Sequence, residues 1–451
     1  MSDQAPAKSR LREWMFRLVL LAAAVAFVLA GLEMAARVMR SRRGGGKEDQ
    51  EQARYNEYDP LLGWRKTPNT VVAYNRREYQ TRISINSRAL RDPERPVDPP
   101  AGVFRVLALG DSFVEGYTVE SDDTVTQRLA ARLQGAHCAS DVINAGTAGY
   151  STDQETLFYA SEGTRYRAAL VVLFFYYNDI LFTDRQEFFA EPKPAFEMRE
   201  DGLKLHRYPV REKPKAGAAP PPETAPEPSE SGGSVALELL RDRLWYGAPA
   251  AHGALARLGL WNPMPPTKPR LELLVYDRRS LPPLEEAWAK VEAVLSFLKD
   301  RVESQGAQLA LAYVPSKMEV QDASWRTTKQ LYRIDEQLWD RGKVSARLAK
   351  IAQTLGTPMV DLTPALRGAE SRFASTYFMA DGHWTARGHD VAAQAVFDWM
   401  KAGGWTAKTC GGNLPEAAPR AEVWNPEPGN AISLPRGPVA ATVPGSKPQG
   451  H

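Results

Sequence analysis

Ser112 stands in the string Leu109-Gly110-Asp111-Ser112-Phe113, just past an apolar run that begins at Phe104. A serine set just past a strand–Gly–Asp turn can present its hydroxyl beyond the C-terminal end of that strand. Functional groups of α/β sheets gather there. The plainer use of the same serine is to cap the following helix. A second string, Asp381-Gly382-His383-Trp384, stands before the last helical stretch. A serine hydroxyl is a poor nucleophile until a neighbouring base takes its proton, and a carboxylate must hold that base in the right tautomer. His383 and Asp381, two residues apart on one loop, have the types for both roles. The plainer reading makes Asp381 a helix cap and His383 a surface residue. Of the 6 histidines, His137, His206 and His252 stand in contexts without such partners, and His451 ends the chain.

Two further strings follow apolar runs: Asn144-Ala145-Gly146-Thr147-Ala148-Gly149 and Asn178-Asp179. Glycines let a backbone N–H approach a ligand closely, and an asparagine amide is a neutral donor. With the Ser112 N–H, the Gly149 N–H and the Asn178 amide would make an oxyanion hole of three donors. Each string alone is more often a turn. All four, at successive strand ends, outline one centre for attack on an ester carbonyl. Asp381, His383, His389 and Asp390 can also be read as hard-metal ligands. His389, however, lies six residues beyond His383 with much of the interval helical. Packing within the final helix or a local hydrogen bond suits it better, and neither a metal nor another cofactor is expected. Tyr176 and Tyr177 line the acyl site or pack in the core, and Trp384 fixes the loop that carries His383.

These residues need a scaffold of strands and helices. Five apolar runs, Phe104 to Leu109, Asp141 to Ala145, Ala169 to Tyr177, Ala307 to Val314 and Pro358 to Leu362, alternate with helical stretches. That alternation indicates βαβ units and a parallel, doubly wound sheet. The helices are read at Thr124 to Leu133, Pro283 to Gln305, Lys343 to Leu355 and Thr385 to Ala402. In the second of them, the spacing of Leu284, Trp288, Val291, Leu295 and Leu298 predicts a core-facing stripe.

The order GDS, NAGTAG, YYND, DGHW resembles the SGNH superfamily of GDSL-type hydrolases, over roughly residues 100–402. Ser112 matches the nucleophile block, Gly149 the glycine block, Asn178 the asparagine block and His383 the final histidine. The resemblance implies an α/β, flavodoxin-like three-layer sandwich with a five-stranded parallel sheet in the order 2-1-3-4-5, and ester chemistry without a metal. Tyr58 to Trp64 and Ile85 to Asp92 look like the lead-in of membrane-anchored bacterial members. Most of the superfamily places Asp three residues before His, whereas here the gap is two. This D-x-H form resembles the triad of proteins that O-acetylate exopolysaccharide. Expected partners are therefore an acylated carbohydrate or other ester, the membrane, and the polysaccharide machinery of the envelope. The rival reading is a non-catalytic envelope scaffold that keeps the fold.

Composition agrees with a packed soluble body: 43% hydrophobic and 25% charged residues in a chain of 451. A net charge of +3, scattered along the chain, excludes nucleic acid as a partner. Residues 1–14 read as a cytoplasmic N-terminus, 15–36 as a transmembrane signal anchor and 37–54 as a tether. Val28-Leu29-Ala30 also fits a signal-peptide cleavage site, but Trp14 and the basic residues on both sides favour an uncleaved anchor with the catalytic domain exported to the periplasm. A small β-rich lead-in spans 55–100 and the hydrolase domain 101–405, with an insertion at 185–280. Within the insertion, 212–233 is nearly free of apolar bulk and reads as a disordered linker, and 406–451 as a Pro/Gly-rich tail. Cys138 and Cys410 lack the spacing of a zinc or redox motif. They either pair or stay as two thiols.

Overall fold

A computed structural model describes residues 7–43, 55–212 apart from 77, 189–190 and 200–201, positions 237, 240, 244 and 249–258, and residues 271–405 apart from 333 and 372. Residues 44–54, 213–233 and the tail from 406, with Cys410 and His451, lie outside them. The chain divides into two compact units, one of residues 1–52 and 215–265, the other of 53–214 and 266–451. In the first, the helix Ala7–Arg43 carries Trp14–Ala35, 22 residues of mean hydropathy 2.4, long and apolar enough to cross a membrane. The helix Pro249–Arg257 also belongs to it.

The second unit opens with two antiparallel pairs, β1 (Asn56–Asp59) with β2 (Gly63–Lys66) and β3 (Val71–Asn75) with β4 (Gln80–Ser84). Along β4 only Thr81 and Ile83 turn inward, the alternation of a strand with one buried face. The main sheet starts with β5 (Phe104–Gly110), β6 (Ser140–Asn144) and β7 (Leu170–Tyr176). Two short pairs follow within the insertion, β8 (Glu187–Phe188) with β9 (Glu191–Pro192) and β10 (Ala195–Arg199) with β11 (Gly202–His206). The sheet is completed by β12 (Gln308–Val314) and β13 (Met359–Asp361). All four pairings in it are parallel, and across the sheet the order is β13-β12-β7-β5-β6. Taken in chain order, this is the predicted 2-1-3-4-5.

Strand alternation sorts the core into two layers. Leu107, Leu109, Val171, Leu173, Leu309 and Leu311 pack with Leu284, Trp288, Val291, Leu295 and Leu298 of the helix Pro282–Glu303. Val106, Ala108, Val172, Phe174, Ala310 and Ala312 pack with the helices Val125–Gly135 and Ala386–Ala402. Each large side chain buried in this way contributes roughly 1.5–3 kcal/mol. Arg105 is the polar exception in β5. Its guanidinium, fully buried, grips Asp141 of β6 through two bonds of 2.9 and 2.8 Å.

The flanks of the insertion are part of this unit. Phe196, Leu203 and Leu205 pack with Leu157 and Val294, and Val275 and Tyr276 join the main core. Cys138 is buried and carries a disulfide.

Candidate active site

The chain turns sharply between β5 and the short helix Ser112–Glu115. A Cβ on Gly110 would stand 2.4 Å from Val114 Cγ2, so only glycine allows the turn to be this tight. Asp111 caps the helix by accepting the Phe113 N–H at 2.9 Å. Capping therefore falls to Asp111. Ser112, at the first position, has its hydroxyl free for another partner.

That partner is His383. Ser112 Oγ lies 2.8 Å from His383 Nε2, although 271 residues separate them. On the other side of the ring, Asp381 Oδ1 lies 2.5 Å from Nδ1 and also accepts the His383 N–H at 3.2 Å. Contact at both nitrogens assigns the proton to Nδ1 and leaves the Nε2 lone pair facing the serine. Gly382, at φ +84°, makes the left-handed step that folds Asp381 back onto His383. Phe113 and Tyr117 flank the imidazole at 4.9 and 5.1 Å between ring centroids, and the Tyr117 hydroxyl lies 3.2 Å from Nδ1. Trp384, wholly buried, packs edge-on against Phe113, and its carbonyl accepts the Thr118 hydroxyl at 3.0 Å. It anchors the loop, as its position beside His383 predicts.

Burial works to raise the Asp381 carboxyl. The hydrogen bond and charge of His383, with the Tyr79 hydroxyl, outweigh that and hold it below the ordinary carboxylate range. Asp111 is pushed up to about 6, chiefly by burial, against the opposing pull of the Phe113 N–H and of His383.

Gly149 and Asn178 follow β6 and β7, the two strands that flank β5, so both stand on the same rim of the sheet as Ser112. Gly149 has φ +81°, and a Cβ there would lie 2.8 Å from Phe188 and 3.2 Å from Trp64. Asn178 starts the short helix Asp179–Phe182. Asn144, by contrast, is consumed by the fold: its amide donates to the Val114 carbonyl at 2.8 Å and accepts the Gly146 N–H at 3.0 Å. Tyr176 packs on Phe113 at 4.7 Å and Tyr177 on Tyr276 at 5.6 Å, both as core contacts. His389 is buried, and its Nδ1 accepts the Val125 N–H at 3.1 Å. Burial lowers its pKa to about 3. Among the described residues no group of His, Cys, Asp or Glu is arranged to hold a metal.

Sequence reasoning missed a set of residues from the lead-in. Tyr79 donates to Asp381 Oδ2 at 2.8 Å, and Glu78 accepts backbone N–H groups of the same loop. Lys66, fully buried, reaches the Gly146 carbonyl at 2.5 Å, the Thr147 hydroxyl at 2.7 Å and the Glu115 carboxylate at 3.5 Å. Glu115 in turn accepts the Ala148 N–H at 2.6 Å and the Tyr55 hydroxyl at 3.1 Å. The pattern of residues around Tyr79 says nothing of a partner 302 residues away. A separate cavity of about 620 Å³, lined among others by Trp325, Trp339, Arg341 and Asp361, contains none of the residues singled out from the sequence.

No curated protein matches the chain. Several solved structures are similar to it over about two thirds of its length. TesA is 12% identical, with 66% of this chain and 98% of TesA covered at a TM-score of 0.34. A catalytic mutant of Axe2, an acetylxylan esterase from Geobacillus stearothermophilus, is 11% identical, with 65% and 93% covered at a TM-score of 0.33. The lipase/acylhydrolase from Enterococcus faecalis is 11% identical, with 66% and 96% covered at a TM-score of 0.33. The sequence profile of the GDSL-like lipase/acylhydrolase family spans residues 108–391, from inside β5 past the His383 loop. With the 2-1-3-4-5 sheet and the Ser112 turn at its rim, that span places the chain in the GDSL-like lipase/acylhydrolase family, as an ester-bond hydrolase.

Proposed function

We propose that Ser112, His383 and Asp381 are the catalytic triad of this hydrolase. The supporting observation is the unbroken relay from Ser112 Oγ to His383 Nε2 at 2.8 Å and from Nδ1 to Asp381 at 2.5 Å. His383 Nε2 takes the Ser112 proton as Oγ bonds to the ester carbonyl carbon, and Asp381 stabilises the imidazolium that results. The carbonyl oxygen becomes an oxyanion, met by the Ser112 and Gly149 N–H groups and the Asn178 amide. On collapse the C–O bond to the leaving alcohol breaks, and His383 returns the proton to that alcohol. The acyl group on Ser112 then passes to water, or to a sugar hydroxyl, by the same steps in reverse order.

The acyl group in this reading is small, acetyl above all, and is carried on envelope or exopolysaccharide sugars. The D-x-H spacing of Asp381 and His383 supports that choice. The helix Trp14–Ala35 serves as the anchor, with the catalytic unit on the extracytoplasmic side. A disulfide at Cys138 suits that oxidising compartment.

The test is Ser112→Ala. Hydrolysis of p-nitrophenyl acetate is expected to fall by about 10³-fold or more, with the thermal midpoint unchanged. A fluorophosphonate should label the wild-type chain at Ser112. Retained activity in the variant would reassign the nucleophile. A wild-type chain that takes no label and hydrolyses no ester would instead support the scaffold reading.

A further inference from the structure

The β3–β4 hairpin lies outside residues 108–391, the part of the chain that carries the family profile. Its tip is nonetheless bonded to the loop that bears Asp381. Glu78 accepts three consecutive backbone N–H groups, from Met379 at 2.9 Å, Ala380 at 2.8 Å and Asp381 at 2.9 Å. Successive amides converging on one anion form a nest, which settles the backbone conformation that presents them. Tyr79, the next residue, donates its hydroxyl to Asp381 Oδ2 at 2.8 Å. Its ring is held by Tyr74, Tyr117 and Phe378 at 6.3, 6.3 and 5.0 Å between centroids. The hydroxyl is therefore aimed by packing.

The need for such a brace follows from the loop itself. Asp381 and His383 are two residues apart around a left-handed glycine, and neither belongs to a helix or strand. A Cβ built on Gly382 would meet nothing within 4 Å, so no packing from that side supports the turn. From within the loop, Asp381 has only the ring and N–H of His383 to orient its carboxylate, both at Oδ1. The second oxygen and the Asp381 N–H are taken by Tyr79 and Glu78.

We propose that Glu78 and Tyr79 are positioning residues for ester hydrolysis: the hairpin tip holds the Asp381 carboxylate in register with His383 Nδ1. This inference rests on the triad reading given above. The lead-in then belongs to the working active site, although its two residues touch neither substrate nor the reacting atoms.

The experiment uses the full chain and p-nitrophenyl acetate. Tyr79→Phe is expected to lower kcat about tenfold with KM within about twofold. It should also move the acidic limb of kcat/KM to higher pH, because a carboxylate that loses a donor raises the proton affinity of the Asp–His couple. Glu78→Gln should lower kcat comparably, since an amide cannot accept three N–H groups as a carboxylate does. In an Asp381→Asn background, Tyr79→Phe should change kcat less than about twofold, its partner charge being already gone. A Tyr79→Phe enzyme with wild-type kcat and pH profile overturns the proposal. An equal loss in both backgrounds does so too, because a purely structural tyrosine would behave that way. Activity that needs Ser112 but ignores Tyr79→Phe overturns the positioning role alone, whereas activity that survives Ser112→Ala removes the triad beneath it.

Discussion

Asp111 shows how one buried carboxyl beside Ser112 shapes both fold and pH response. It is 2% exposed, caps the Ser112 helix, and has a pKa raised to about 6, mainly by burial. A folded value above the ordinary 3.8 means that the fold prefers the protonated acid. Its contribution to stability is therefore full below about pH 4 and is lost as pH rises through about 6. Asp111→Asn keeps an oxygen for the Phe113 N–H and removes the titration. Its stability relative to wild type should rise between pH 4 and 7 by on the order of 2–3 kcal/mol, read by urea unfolding at each pH. A pH-independent difference would mean that Asp111 does not titrate there. His389 is a similar case of environment overriding type: buried and neutral, it accepts the Val125 N–H at a helix start.

Among the elements, the lead-in strands reach the loops that carry the site. β2 sends Lys66 under the loop that follows β6, and the β3–β4 hairpin reaches the Asp381 loop. Lys66 and Glu115 form an ion pair with both side chains nearly fully buried. Burial lowers the Lys66 pKa, and Glu115 opposes that. Removing one partner of such a pair leaves an uncompensated charge in the interior. Lys66→Met is therefore expected to destabilise the protein by about 3–5 kcal/mol in urea unfolding. Adding Glu115→Gln should recover part of the loss. A cost no larger for the single variant than for the double would show that the pair is not the source. The elements themselves were largely legible. Periodicity located all five sheet strands to within a residue or two, and the helix Lys343–Leu355 at both ends. The short pairs β8–β9 and β10–β11 were not legible, because strands of 2 to 5 residues inside an insertion offer too little alternation to read.

For the molecule as a whole, one helix near the N-terminus is long and apolar enough to cross a membrane. Trp14–Ala35 belongs to the first of the two compact units and exposes apolar side chains such as Phe27 and Leu29. Deleting residues 7–43 is expected to shift esterase activity from carbonate-washed membranes to the soluble fraction with kcat/KM unchanged. If the undeleted gene instead gave a soluble chain with a shortened N-terminus, the same segment would be a cleaved signal.

Sequence alone determined the strand and helix periods and the residue types fit for ester chemistry, while the sheet order came from the resemblance those motifs carry. It did so because burial imposes a period of two on strands and near 3.6 on helices, and because Gly-Asp-Ser and Asp-Gly-His each act within one turn of chain. Only the tertiary structure decided that Ser112 and His383 meet at 2.8 Å, that Asn144 serves the fold, and that Tyr79 and Glu78 bond to Asp381. Contacts across 271 and 302 residues leave no periodic trace, since they depend on how layers stack and not on how any one segment is patterned.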